Sequence, residues 1–149
     1  TDWTTGERER VLSSLPERLP YWDTVADPKA APILDVVQVA AFRNLGLTQF
    51  AAIVAVYARE APRQVAGMRA ALEAGDQRAL CEIAHALKGS SASLGAARIA
   101  VYAARIERGG RDGDRAACVQ AVAALDSNLS ESVARLEALC RDADLTIHA

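Results

Sequence analysis

Of the two histidines in the chain, only His85 sits in surroundings suited to chemistry. A neutral imidazole is a nucleophile, and an ordinary imidazole pKa of about 6.5 leaves most of it neutral near pH 7. Lys88 follows at three residues and Gly89 at four, so in a helix both share the histidine's face. A cation at Lys88 can steady negative charge on a group passing to or from the ring, although most lysines are simply solvated. Gly89 is the costlier choice, because glycine inside a helix loses about 1 kcal/mol relative to alanine. A missing side chain there leaves room for another macromolecule's backbone or for phosphoryl oxygens beside the imidazole. A kink or a close helix crossing would call for the same residue.

A nucleophilic histidine also needs an acceptor on one ring nitrogen so that the other presents its lone pair. Glu107 is the candidate. If the segments on either side of Gly95 form an antiparallel helical hairpin, residues about ten before and twelve after the turn come level, which sets Glu107 opposite His85. A plain surface glutamate pairing with nearby arginines is the alternative. Cys81, four residues before His85, raises a different possibility, a metal or redox site. Two ligands do not make one: a structural zinc takes four and a catalytic zinc three. Glu82 and Glu107 are the only nearby additions, and His148 lies in a terminal segment. Cys81 also reads as a small residue at the border of a core.

The helix that must carry His85 runs from Asp76, a capping residue, to Gly95, a stop. At about 100° per residue, Leu80, Ile83, Ala84, Leu87, Ser91 and Leu94 fall on one arc, the core side. His85, Gly89, Ala92 and Ala96 fall roughly opposite, with Lys88 and Cys81 on the near flank. Small residues (Gly89, Ala92, Ala96, with Ser93 beside them) therefore surround the histidine, a surface that a partner's backbone can approach.

The other segments have helical spacing too. Ile33 to Asn44 forms a first helix ending near Gly46. Thr48 can cap the next, whose apolar positions Phe50, Val54, Tyr57, Ala61, Val65, Met68 and Leu72 continue across Pro62 to Gly75, giving one kinked helix or two abutting ones. After Gly95, Ala96 or Ala97 starts a helix to about Arg108, and Gly109, Gly110, Asp112 and Gly113 make the following turn. Because that glycine-rich stretch follows a helix and not a strand, it is not read as a nucleotide cradle. The last helix runs from Asp114 to about Asp142, with Cys118, Val122, Leu125, Leu129, Val133, Leu136 and Cys140 on one stripe. Short connections between long helices make antiparallel neighbours. The fold is thus expected to be all-α: an antiparallel up-and-down four-helix bundle with an additional N-terminal helix.

Composition supports this. The 149 residues are 51% hydrophobic with only 5% aromatics, which suits one domain of tightly packed helices. Four of the five prolines and both tryptophans fall in residues 1–32, read as an extension or linker with at most one short helix near 7–15. Residues 33–142 make the bundle and 143–149 a tail. The net charge of −2 with interspersed signs offers no basic face for nucleic acid. The apolar stretch 36–58 is interrupted by Arg43, Asn44 and Gln49, so no membrane contact is expected. Three widely spaced cysteines point to a reducing, cytoplasmic setting without disulfides.

The run from His85 to Gly95, His-Ala-Leu-Lys-Gly-Ser-Ser-Ala-Ser-Leu-Gly, resembles the signature of histidine phosphotransfer domains: His, any residue, Leu-Lys-Gly, two small residues, two variable, an apolar residue, Gly. Every constrained position fits, and the similarity extends weakly over residues 33–139. The resemblance implies that His85 accepts a phosphoryl group through Nε2, that Lys88 and Gly89 shape the site, and that Glu107 orients Nδ1. It implies a phosphocarrier in a bacterial multistep phosphorelay, not an enzyme with its own ATP site. Receiver domains are the implied partners; they bring the aspartyl phosphate and the Mg²⁺, and the module itself holds no cofactor or metal. A monomer is expected. The non-Met start and the proline-rich lead suggest the C-terminal module of a hybrid sensor kinase, on the cytoplasmic side of one if it is membrane-bound. The alternatives are a helical adaptor in which His85 does no chemistry, and the metal-binding bundle. A kinase dimerisation domain would adjoin an ATP-binding domain, of which these residues show none.

Overall fold

The structure, a computed structural model, describes residues 27–148, with side chains as far as residue 141. The expected short helix near 7–15 and the side chain of His148 lie outside the described residues. Asp27 opens a single turn of 3-10 helix at Pro28–Ala30, its carboxylate accepting from the Lys29 backbone N–H at 3.0 Å. Five α-helices follow: α1 Val36–Arg43, α2 Leu47–Ala74, α3 Gln77–Leu94, α4 Ala97–Asp112 and α5 Arg115–His148. There is no strand among the described residues. Helices α2 to α5 form a closed ring of antiparallel neighbours, α2 against α3, α3 against α4, α4 against α5 and α5 back against α2, while α1 lies across α2 and α3. This is the expected all-α bundle.

Local chemistry sets most of the boundaries. Asp76 caps α3 by accepting from the Ala79 N–H at 3.0 Å, and Gly95 ends it in the left-handed region at φ 96°. Helix α1 is shorter than its apolar spacing suggests because Asp35, not a residue near Ile33, is the cap, accepting from Val37 N at 3.1 Å and Gln38 N at 3.3 Å. Thr48 does not cap α2; Gly46 holds that position without a side-chain bond. Pro62 sits within one continuous helix on an exposed position, so the Ala58 carbonyl it leaves without an intrahelical donor is on the wet side of α2. The last helix carries on through 143–148, where a tail was expected.

The stretch Gly109–Gly113 departs furthest from its sequence reading. Gly109 and Gly110 are not a turn but buried helical residues of α4, which ends only at Gly113, φ 72°. Packing decides this. A Cβ on Gly110 would stand 2.6 Å from Cys81 Sγ of α3, and one on Gly109 would stand 2.9 Å from Cys118 Sγ of α5. The two glycines let α4 sit close against both neighbours at once, so tertiary contact overrides their preference for turns.

Inside the ring, Phe50, Val54, Val65, Met68, Leu87, Leu94, Ile99, Ile106, Leu125 and Leu136 are buried in one core. Each such side chain contributes roughly 1.5–3 kcal/mol through removal from water. A hydrogen bond of 2.7 Å joins Tyr57 OH of α2 to Ser91 Oγ of α3. Burial drives the Tyr57 phenol well above its ordinary pKa, only partly offset by that bond.

Candidate functional site

His85 stands mid-way along α3 on the side facing away from the core, its side chain 70% exposed. The hairpin through Gly95 brings Glu107 of α4 level with it: His85 Nδ1 and Glu107 Oε2 are 2.8 Å apart. The other carboxylate oxygen accepts from Lys88 Nζ at 2.6 Å. Glu107 is 13% exposed and Lys88 20%, so the pair is tucked into the α3–α4 seam while the ring projects. Burial pushes the Glu107 carboxyl pKa up, but the bonds and charges of Lys88 and His85 outweigh it, and the net shift is downward. An ionised carboxylate only accepts, so the proton between the two groups belongs to Nδ1. In the neutral ring that tautomer leaves the lone pair on Nε2.

Lys88 lies where its spacing put it, but its ammonium is engaged by Glu107 and is not free beside the ring. The cation keeps the carboxylate ionised, and the carboxylate keeps the tautomer of His85.

Gly89 is exposed, and a Cβ there would meet nothing within 4 Å. Among the described residues no neighbouring helix crosses at this point, so they give no close packing as a reason for the glycine. Ala92 and Ser93 are half-buried, and the Ser93 carbonyl accepts from Gln38 Nε2 of α1 at 3.0 Å. Ala96 corrects the sequence reading: it is 0% exposed and belongs to the core, so it is no part of a docking face. The helical wheel had been extended past Leu94, but Gly95 turns the backbone left-handed and Ala96 swings inward.

Cys81 does not reach toward His85. Its thiol donates to the Glu107 backbone carbonyl at 3.6 Å, and burial, with the Glu107 charge, pushes its pKa up, away from a reactive thiolate. Among the described residues no three His, Cys, Asp or Glu side chains gather where a metal ion could be held.

Sequence reasoning did not assign Ile53 and Val56 to the site. Gly67 marks the α3-facing flank of α2, since a Cβ on it would touch Ile83 of α3 at 3.3 Å. Ile53 and Val56 lie on that same flank near the start of α2, by their spacing from Gly67. Tyr57 and Ser91 show that this part of α2 runs beside the second half of α3. Both side chains are exposed, as are Val36 and Val37 at the start of α1, the helix whose Gln38 holds Ser93. These apolar residues therefore lie toward the Gly95 end of α3, beyond Gly89 and on the side of Ser93. The available signal was that Ile53 and Val56 fall off the buried stripe of α2.

The model of the Hpt domain matches residues 52–138, more than half of the chain, and that span contains His85, Lys88, Gly89 and Glu107. The chain belongs to the Hpt domain family. Among solved structures, this Hpt domain is similar to the histidine-containing phosphotransfer protein B (HptB) of Pseudomonas aeruginosa PAO1, with a TM-score of 0.71 and 22% identity over 76% of this chain and 98% of that one. The shared fold is the helical bundle. No curated protein matches. No described helix of this Hpt domain is long and apolar enough to cross a membrane.

Proposed function

We propose that this Hpt domain is a phosphocarrier of a multistep phosphorelay, in which His85 takes a phosphoryl group from the aspartyl phosphate of one receiver domain and gives it to the aspartate of another. The observation that carries the reading is the 2.8 Å contact of Glu107 with His85 Nδ1, which leaves Nε2 as the nucleophile on a 70% exposed ring. In the forward step the Nε2 lone pair forms the N–P bond as the acyl-phosphate P–O bond breaks, and the receiver's carboxylate leaves with those electrons. The ring gains positive charge as it bonds to phosphorus. Glu107, already ionised and partly desolvated, opposes that charge without having to move. Lys88 acts through Glu107 by holding its second oxygen. Mg²⁺ and the aspartate belong to the receiver; this chain supplies the imidazole and the surface on which the receiver sits.

That surface is open at Gly89, half-covered at Ala92 and Ser93, and apolar at Ile53, Val56, Val36 and Val37. Its shape suits a partner that must bring a phosphoryl group within bonding distance of Nε2: no side chain at Gly89 stands in the way, and the apolar residues toward the Gly95 end of α3 supply area to bury. The domain acts as a monomer in this scheme, and it needs no ATP site because the receiver brings an already activated phosphate.

The test is to incubate the protein and a His85→Gln variant with a phosphorylated receiver domain and Mg²⁺. Acid-labile, base-stable label on the wild type alone supports the assignment. Label on neither protein across several receivers, or equal label on both, overturns it.

A further inference from the structure

Most of the charge around His85 is cancelled in place. On α3, Arg78 donates to Glu82 at 3.1 Å, and Lys88 is held by Glu107 of α4 at 2.6 Å. Arg105 and Arg108, further arginines of α4, are engaged as well. Arg111 is different: it is exposed, and among the described residues its guanidinium makes no ion pair or hydrogen bond.

Its place follows from the helix. Arg111 comes four residues after Glu107, which puts it about 6 Å further along α4 and about 40° round, on the flank from which Glu107 reaches His85. Gly110 marks the inner edge of that flank, since a Cβ on it would stand 2.6 Å from Sγ of Cys81, which lies one turn before His85 on α3. The Cys81 thiol reports the same placement: burial and the Glu107 charge push its pKa up, and the Arg111 charge pulls against them. Arg111 is therefore about one turn from the reacting ring along the α3–α4 seam, on the side away from Gly95. Asp112, the next residue, lies about 100° further round α4, away from α3. A cation in the last turn of α4 also suits the negative end of the helix, but that end supplies no counter-ion to cancel it.

We propose that Arg111 is a docking residue for the receiver, its guanidinium meeting a carboxylate that borders the receiver's phosphoryl group and so drawing that face onto His85. The proposal rests on the phosphocarrier reading and adds to it a residue that selects the partner by charge. A phosphorylated aspartate, with the carboxylates that hold Mg²⁺ beside it, brings an acidic face, and Arg111 is an uncancelled positive charge within about a turn of the ring. A planar guanidinium can also grip a carboxylate through two parallel bonds, which fixes orientation as well as attraction. No bond to phosphorus is made or broken by Arg111; it acts on encounter and register.

The test measures the second-order rate of phosphoryl uptake from a phosphorylated receiver domain with Mg²⁺, between about 0.01 M and about 0.15 M salt, where the screening length falls from about 30 Å to about 8 Å. The wild-type rate is expected to fall as salt rises. At the low end Arg111→Gln is expected to be about threefold slower, the effect of one charge on another about 6 Å away through water, and its rate should depend less on salt. Arg111→Lys, which keeps the charge, should restore most of the rate and the salt dependence. Circular dichroism and a thermal melt separate this from a role in helix stability alone. Four results overturn the proposal: a wild-type rate indifferent to salt, a folded Arg111→Gln protein with the wild-type rate and salt dependence, no rescue by Arg111→Lys, or a loss confined to the transfer rate at saturating receiver, which would put Arg111 in the chemistry and not in docking. If no receiver labels the wild type at all, the phosphocarrier reading falls and this proposal falls with it; if the wild type is labelled and Arg111→Gln matches it, only the role of Arg111 falls.

Discussion

Replacing Glu107 tests the mechanism most directly. Its two oxygens serve two donors, Lys88 Nζ at 2.6 Å and His85 Nδ1 at 2.8 Å. Glutamine has the same shape but only one acceptor atom, so it can satisfy one donor and must turn an N–H₂ group toward the other. Hydrogen bonds to charged groups contribute roughly 1.5–3 kcal/mol, and the exposed position of His85 places its bond at the lower end. If about 1.4 kcal/mol of that is felt in the transition state, where the ring becomes positive, Glu107→Gln slows phosphoryl uptake about tenfold. Glu107→Ala, which loses the acceptor and the charge together, should be slower again. Lys88→Met should be milder than either, because the bond to His85 survives it. The assay is single-turnover transfer from a phosphorylated receiver with Mg²⁺, with circular dichroism as the control for folding. A folded Glu107→Ala protein that takes up phosphate at the wild-type rate would refute the claim that Glu107 activates the imidazole. A Lys88→Met effect larger than that of Glu107→Ala would show instead that the lysine acts on the phosphoryl group directly.

Gly89→Ala should raise stability by about 0.5–1 kcal/mol because its Cβ enters open space, whereas Gly89→Phe should abolish transfer with the helical signal intact; thermal melts and the same assay read both. Gly110→Ala should lower the denaturant midpoint by the equivalent of about 1–3 kcal/mol through overpacking against Cys81, and Cys81→Ala in the same chain should recover much of it. Ile53→Glu and Val56→Glu should weaken receiver binding in calorimetry while leaving unfolding within about 0.5 kcal/mol of wild type. Because the Glu107 pKa is depressed in the fold, its contribution to stability is complete above the ordinary glutamate pKa and is lost as pH falls through the lowered value. Denaturant midpoints should therefore fall less steeply with acid in Glu107→Gln than in the wild type.

Much of this molecule was legible before its structure because local signals and packing agree. Asp76 and Gly95 start and stop α3 by their own chemistry, and the wheel between them divides Leu87 from His85 without any tertiary knowledge. The level of Glu107 followed from counting along two helices joined at one glycine. The sequence misled where the decisive partner lay elsewhere in the chain. Gly109 and Gly110 carry the local mark of a turn, and only the sulfurs of Cys81 and Cys118 explain why they are helical. Ala96 was misplaced by carrying a periodicity one residue past the point where it ceased to hold. Ile53 and Val56 were visible as apolar residues off the stripe, but which neighbour their flank faces depends on the order of helices around the ring.

Gly95 does more than end a helix. Its N–H closes α3 through Ser91, its carbonyl accepts from Asp35 N at 2.7 Å at the start of α1, and a Cβ there would lie 2.5 Å from Val39 of α1. The same residue thus fixes how far α4 is slid along α3 and where α1 rests on the pair. Alignment of the reacting ring and the seat of α1 are set by one joint, so neither can drift without the other. In a line of descent, the exposed residues of α1 and of the start of α2 are free to change to suit one receiver or another, while His85, Gly89 and this joint keep the chemistry in register.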